Sequence, residues 1–402
     1  MDGVDNDGPS GWAGRHDWPG LALFSVLPTE FPAMRGRNMP ITSLRLRDFR
    51  CFESLSCPLA PGETLFTGDN AQGKTSILEA VCVLLRLQSP RTLSGRELVR
   101  FGAPGFGIAG SVHGRELTHT HTLAGAERRL LIDGEASARP GDYLAASGLV
   151  VWMGNNDLEL VSGSGEPRRR FLDFLGSQLF PEYRPALRAY EKALKQRNFL
   201  LKRDASPAWA EIDAYTAVLV PYGETLLRLR AALLEKLAPH ATAAHTAIRM
   251  ADADAGGPAS EALSLTFHPG GDSSQLSAQL LARRADEARR RVTLHGPHRD
   301  DFLIALDAMP AASFASEGQQ RTIALALKLA QATLLREARG QAPVLLLDDI
   351  FGELDPGRRN ALLAALPADS QKLITTTHLH WLEAHERPAA RYHVVKGSVT
   401  PE

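Results

Sequence analysis

The chain has 402 residues, 44% hydrophobic and 23% charged, which is enough apolar material for a folded core and room for two or three domains. With 45 Lys and Arg against 46 Asp and Glu, the net charge of -1 excludes a whole-chain attraction to nucleic acid or membrane, so any basic surface has to be local. Cys51, Cys57 and Cys82 are too few for a disulfide framework or a structural metal site, and no apolar run nears the ~18 residues that span a bilayer; a cytoplasmic protein without membrane contact is expected.

Residues 1–38 are rich in Gly, Pro, Asp and Trp and read as a disordered extension, with Met39 directly preceding the first strand pattern. From Ile41 to Ile132, short strands surround one helix, Lys74 to Leu87, and a hairpin turns at Asp133-Gly134. That stretch belongs to a first α/β part over 39–163. Residues 164–291 change to Leu/Ala/Arg/Glu-rich segments with helical spacing, as at Leu187, Tyr190, Leu194 and Leu201, and predict a helical insertion with loops at Gly256-Gly257-Pro258 and Pro269-Gly270-Gly271. Over 292–402 the α/β texture returns, with buried strands at Pro343–Asp348 and from Lys372.

The strand Thr64-Leu-Phe-Thr runs into Gly68-Asp69-Asn70-Ala71-Gln72-Gly73-Lys74-Thr75-Ser76 and then a helix, the GxxxxGK[ST] pattern in its strand-loop-helix setting. The glycines let backbone N–H groups curl around phosphate oxygens at the positive end of the helix. Lys74 is expected to bridge the β- and γ-phosphates of ATP, and Thr75 to hold Mg²⁺. The strand Val344-Leu-Leu-Leu ends in Asp348-Asp349, which places Asp348 toward the metal and Asp349 beside the γ-phosphate, where it polarises the attacking water. His378 follows the next strand and is placed to touch the same phosphate. Ser316-Glu317-Gly318-Gln319 opens the helix Ile323 to Leu335; as an N-cap, Ser316 merely starts the helix, and as an anion site it meets the γ-phosphate of a nucleotide held elsewhere.

Phosphate loop, long insertion, S-x-G-Q-Q helix, strand-Asp-Asp, Glu353-Leu-Asp355 loop and strand-His, in that order, resemble the ATP-binding-cassette (ABC) class of ATPases, in which two heads sandwich two nucleotides. The fold this implies is an α/β ABC-class P-loop head, a mixed sheet with flanking helices, carrying a helical insertion lobe. Within the class the chain resembles the RecF family, related to SMC-type heads, through Leu44-Arg-Leu-Arg-Asp-Phe-Arg-Cys-Phe, Arg168-Arg169-Arg170, Gly296-Pro-His-Arg-Asp-Asp and Leu347-Asp-Asp-Ile-Phe-Gly-Glu-Leu-Asp. The resemblance implies a weak ATPase that forms an ATP-dependent homodimer, binds double-stranded and gapped DNA, and works with mediator proteins of the RecR and RecO type to load RecA. Against the family pattern, Ala71 stands for Gly, Glu317 for Gln and Gly352 for Ser. Ala71 is expected to avoid positive φ, Glu317 to put a negative charge near the anion site, and Asp157 to reach the metal or its water.

Residues 167–203 hold ten Lys and Arg against three acids. Arg168, Arg169, Arg170, Arg188, Lys192, Lys195 and Lys202 are the candidate phosphate contacts of DNA, in a sequence-independent mode weakened by salt. A transporter ATPase is the alternative enzyme and normally lacks the arginine block. An ABC-class subunit or nucleotide-gated scaffold not acting on DNA is the remaining alternative, in which Lys74 matters and Asp349 does not.

Overall fold

The structure, a computed structural model, describes residues 41–204, 206–251, 261–377 and 388–402. The expected extension over 1–38, the Gly256-Gly257-Pro258 loop and His378 lie outside the described residues.

Period-two burial builds the first sheet. In β1 (Ser43–Phe49), Leu44 and Leu46 are buried while Ser43, Arg45 and Arg47 lie half-exposed on the other face, and a tight turn through Arg50 and Cys51 leads to the antiparallel β2 (Phe52–Pro58). β3 (Glu63–Thr67) runs into the glycine-rich loop and α1 (Lys74–Arg86), which stops at Leu87, a left-handed residue whose N–H bonds the Val83 carbonyl. β4 (Gly105–Val112), β5 (Arg115–Thr122), β6 (Arg128–Ile132) and β7 (Glu135–Ala136) complete an antiparallel sheet in the order β2-β1-β4-β5-β6-β7. Asp133 and Gly134, at φ 53° and 83°, make the expected hairpin turn between the last two.

After α2 (Pro140–Ala146), β8 (Val150–Gly154) and α3 (Glu159–Ser162) come three longer helices, α4 (Gly165–Leu179), α5 (Tyr183–Arg203) and α6 (Trp209–Ala251). α5 lies antiparallel on the first half of α6: Tyr183, Ala186 and Tyr190 pack with Leu219, Leu226 and Leu229, while Leu200 and Leu201 pack with Ile212 near the far end. At 1.5 Å per residue α6 is about 65 Å long. Its second half, Leu233, Leu237, Ala241 and Ile248, enters the core of the head itself. β9 (Leu263–His268), α7 (Leu276–Ala282), α8 (Arg284–Arg290), β10 (Asp301–Leu306) and β11 (Met309–Pro310) follow, the strands forming a small sheet in the order β11-β10-β9. Residues 164–291 thus differ from a purely helical insertion in two ways. One strand lies inside the segment, where Leu263, Leu265 and Phe267 alternate with exposed polar residues, and half of its longest helix is head core.

The chain then adds α9 (Ala311–Phe314), α10 (Glu317–Arg339), β12 (Val344–Asp348), α11 (Pro356–Ala365), β13 (Lys372–Thr376), β14 (Ala390–Val395) and β15 (Ser398–Pro401). A second six-stranded sheet has the order β15-β14-β3-β13-β12-β8, parallel except at β15. Burial on both faces explains the unbroken Val-Leu-Leu-Leu of β12: Val344 and Leu346 pack in the core with α1, Leu345 and Leu347 in the core with α10. Asp348 is level with Gly154 and Thr375, and Thr376 with Thr67, so the loops after β3, β8, β12 and β13 leave the sheet at one edge. Among the described residues, no helix is long and apolar enough to cross a membrane.

Candidate functional site

The loop that follows β3 is closed by two glycines in conformations that exclude a side chain. A Cβ on Gly68 (φ 136°) would fall 2.3 Å from the Val394 carbonyl oxygen, and one on Gly73 (φ 112°) 2.8 Å from Cys51 Sγ. Gly73 also caps α1 without a side-chain acceptor, leaving the positive end of the helix to an anion. Lys74 Nζ spans the loop, donating to the Gly68 and Asp69 carbonyls at 2.6 and 2.7 Å. Burial lowers the Lys74 pKa, while Asp349, Asp348 and Asp69 pull it back up. Gln72 ties the loop to the β14–β15 turn by accepting the Lys396 N–H at 2.7 Å. Ala71 has φ 61°, against the expectation that it avoids positive φ: the curl between Asn70 and Gln72 imposes the left-handed region whichever residue occupies it.

Thr75 Oγ1 and Thr375 Oγ1 both donate to Asp348 Oδ1, each at 2.8 Å. Burial raises the Asp348 pKa, which the two hydroxyl donors oppose. The next residue, Asp349, has φ 51° and gives its N–H to Thr375 Oγ1 at 3.0 Å; its Oδ1 is buried without a hydrogen-bond partner. A Cβ at Gly352 would lie 3.6 Å from this oxygen, an ordinary contact. Asn70 to Ser76, Asp349 and Thr375 share a cavity of about 550 Å³. A hydroxyl, a carboxylate and an unsatisfied second carboxylate are hard oxygen donors, a set that suits Mg²⁺.

Arg50, Cys51 and Arg91 line the same cavity and escaped the sequence reading. Glu79 of α1, fully buried, holds Arg50 through two bonds of 2.8 and 2.6 Å, accepts Ser89 Oγ at 2.6 Å and lies 3.5 Å from Arg91. A lone acid amid the apolar residues Ile77 to Leu85 was the available signal, because a buried carboxylate demands cationic partners.

Ser316 accepts the Gln319 N–H at 3.2 Å and gives its own N–H to Gln319 Oε1 at 2.8 Å, a capping box that starts α10 on an exposed surface. Within one chain Ser316, Gly318 and Gln319 are not among the cavity's lining residues. Gly318 lies against Arg358, whose guanidinium would sit 2.6 Å from a Cβ. Glu317 is paired with Arg321 at 2.8 Å, which compensates its charge. Asp157 differs from expectation: Lys328 lies 2.7 Å from one oxygen and the Gly154 N–H bonds the other at 2.8 Å, so it closes its own loop onto α10.

The arginine block divides. Arg168 makes a two-pronged bond to Asp301 at 2.6 and 2.8 Å with a side chain only 12% exposed, which commits it to joining α4 and β10. Arg169 donates to the Asp300 carbonyl at 2.8 Å, and Arg170 pairs with Glu166. Arg188, Lys192, Lys195 and Lys202 are exposed on α5.

A phosphate loop and a carboxylate pair at the edge of a mixed sheet, with a serine-capped helix outside their cavity, define the head of an ABC-class ATPase. A family model described as an AAA domain matches residues 43–198. A solved Smc head bound to the C-winged helix domain of ScpA shares the fold, with TM-score 0.51 and 13% identity over 90% of this chain and 97% of that one. The DNA replication and repair protein RecF of Synechococcus sp. (strain JA-3-3Ab) is 38% identical over 90% of this chain and 98% of its own length, and that of Thermosynechococcus vestitus (strain NIES-2133 / IAM M-273 / BP-1) 40% identical over 85% and 91%. A solved structure of the recombination mediator protein RecF with ATP, of the RecFOR pathway, has TM-score 0.78 and 25% identity over 92% of this chain and all of that one. The chain belongs to the RecF family of DNA replication and repair proteins.

Proposed function

We propose that this protein is a slow, DNA-modulated ATPase that dimerises on ATP, binds duplex and gapped DNA, and helps mediator proteins of the RecR and RecO type load RecA. The observation that carries the catalytic part is the convergence of Lys74, Thr75, Asp348 and the unsatisfied Asp349 oxygen at one sheet edge. RecF relatives described as DNA replication and repair proteins, and an ATP-bound neighbour of the RecFOR pathway, support the biological part.

The loop N–H groups from Gly68 to Ser76 cradle the β-phosphate, and Lys74 turns from the loop carbonyls to the phosphates. Thr75 and Asp348 would hold Mg²⁺, which when bound neutralises charge on the β- and γ-phosphate oxygens. Asp349 accepts a proton from water attacking the γ-phosphate, and His378 contacts the same phosphate. Ser316 and Gly318, on the surface of one head, complete the site of the other, and dimerisation is thereby tied to ATP.

Phosphate release by Asp349→Asn and Lys74→Ala, with and without gapped duplex, tests the assignment. Asp349→Asn is expected to lower turnover by about 100-fold or more with ATP binding preserved, and Lys74→Ala to lose binding. Turnover by Asp349→Asn at the wild-type rate would contradict it.

A further inference from the structure

Between the antiparallel sheet and the helices α4 and α5 lies a cavity of about 730 Å³, separate in its lining from the nucleotide cavity. Its sheet wall is built by register: His119 and His121 share a face of β5, and Arg128 of β6 stands directly opposite His121. Its helix wall is built by period: Arg184 and Arg188 are one turn apart on α5. Of the acids in the wall, Glu166 is paired with Arg170 and Asp173 with Arg230; Glu191 is the third, its pKa raised by burial and Asp173 and drawn back by Arg230 and Arg188. Arg184 spends its N–H groups on the Arg86 and Leu87 carbonyls, at 2.7 and 3.0 Å, and neither it nor Arg128 or Arg188 has a carboxylate within ion-pair distance among the described residues.

The two walls therefore face each other with like charge. Burial, then Arg188, Arg86 and Arg128, bring Arg184 down to about 9. His119, nine-tenths buried or more, is brought to about 3 by burial and then by Arg128 and His121, and its Nδ1 has no partner. A concave wall of three guanidinium groups without a carboxylate partner is a receptor for an anion with several oxygens.

We infer that this cleft is a second phosphate site, in which Arg128 from the sheet and Arg184 and Arg188 from α5 grip one phosphate group from opposite sides and draw the two walls together. The phosphate comes either from a nucleic-acid backbone entering the cleft or from a small free phosphate. In the first case the inference rests on the DNA-binding reading above and gives that reading a path; in the second it stands without it.

The test compares the full chain with Arg128→Gln/Arg188→Gln. The probes are a short oligothymidylate strand, a duplex of the same length and inorganic pyrophosphate, the last with Lys74→Ala added to both chains so that the phosphate loop does not contribute. Loss of about tenfold or more in DNA affinity, with a salt dependence shallower by roughly one to two phosphate contacts and pyrophosphate unaffected, supports the site with DNA as the source. The same loss confined to pyrophosphate supports the site and sinks its role in DNA binding. Affinities for all three probes within about twofold of the unsubstituted chain, in a variant with unchanged thermal unfolding, would overturn the inference. Should the double variant misfold, Arg128→Lys/Arg188→Lys keeps the charge and is expected to keep the salt dependence. In the unsubstituted chain, phenylglyoxal labelling of Arg188 should be blocked by the probe that binds, and labelling indifferent to every probe would equally overturn it.

Discussion

Two residues at the phosphate loop and the neighbouring strand end, Ala71 and Asp348, each carry a stability cost in their present form. A left-handed alanine costs roughly 1–2 kcal/mol, part of which glycine returns through the greater freedom of the unfolded chain. Ala71→Gly is therefore expected to stabilise the protein by a few tenths to about 1 kcal/mol in thermal unfolding without weakening ATP binding; destabilisation would show that the φ of 61° carries no strain. Asp348 has its pKa raised by burial, so its charged form is a liability to the fold at neutral pH. Asp348→Asn should raise the melting temperature at pH 7. The advantage should shrink as the pH falls through the raised value, because the wild-type carboxyl is then protonated in the folded state and, like Asn, carries no charge there. An advantage independent of pH would exclude the charge as its cause.

At the scale of elements, the joint between the helices and the head is a buried polar network centred on Arg230 of α6. Its guanidinium, 2% exposed, meets Asp173 of α4 at 2.6 Å, Asp300 at 2.7 Å, the Pro297 carbonyl at 2.6 Å and Tyr183 of α5 at 2.9 Å. The Gly296-Pro-His-Arg-Asp-Asp segment thus works as a fastener: Asp300 takes Arg230, Asp301 takes Arg168, and His298 meets Tyr190 at 2.6 Å. Arg230→Met should cost about 3–5 kcal/mol in denaturant unfolding, because two carboxylates are left without their cation. A loss under about 1 kcal/mol would mean that water already satisfies them.

The contrast between legible and hidden elements follows from range. The phosphate loop, α1, β12 and the Ser316 cap were readable because glycine conformation, apolar run length and capping are encoded within a few neighbouring residues. Arg50 and Arg91 were not, since they reach the nucleotide cavity through Glu79 on another element. Arg168 on α4 looked like the exposed basic residues of α5 until Asp301, 133 positions away, claimed it. Similarly, only the docking of α6 on the head reveals that Leu233 and Ile248 belong to a core different from that of Leu219.

For the whole molecule, the proposed composite site requires one chain to carry two halves that meet only between copies. Lys74, Thr75, Asp348 and Asp349 gather at the sheet edge, while Ser316 and Gly318 open α10 outside that cavity. The most direct measurement is sedimentation of Asp349→Asn with Mg-ATP, with and without duplex DNA, beside the same protein carrying Ser316→Arg. A dimer that requires ATP, is lost with Ser316→Arg and holds DNA more tightly than the monomer is the expected result. A monomer at saturating ATP, with DNA affinity unchanged, would contradict it.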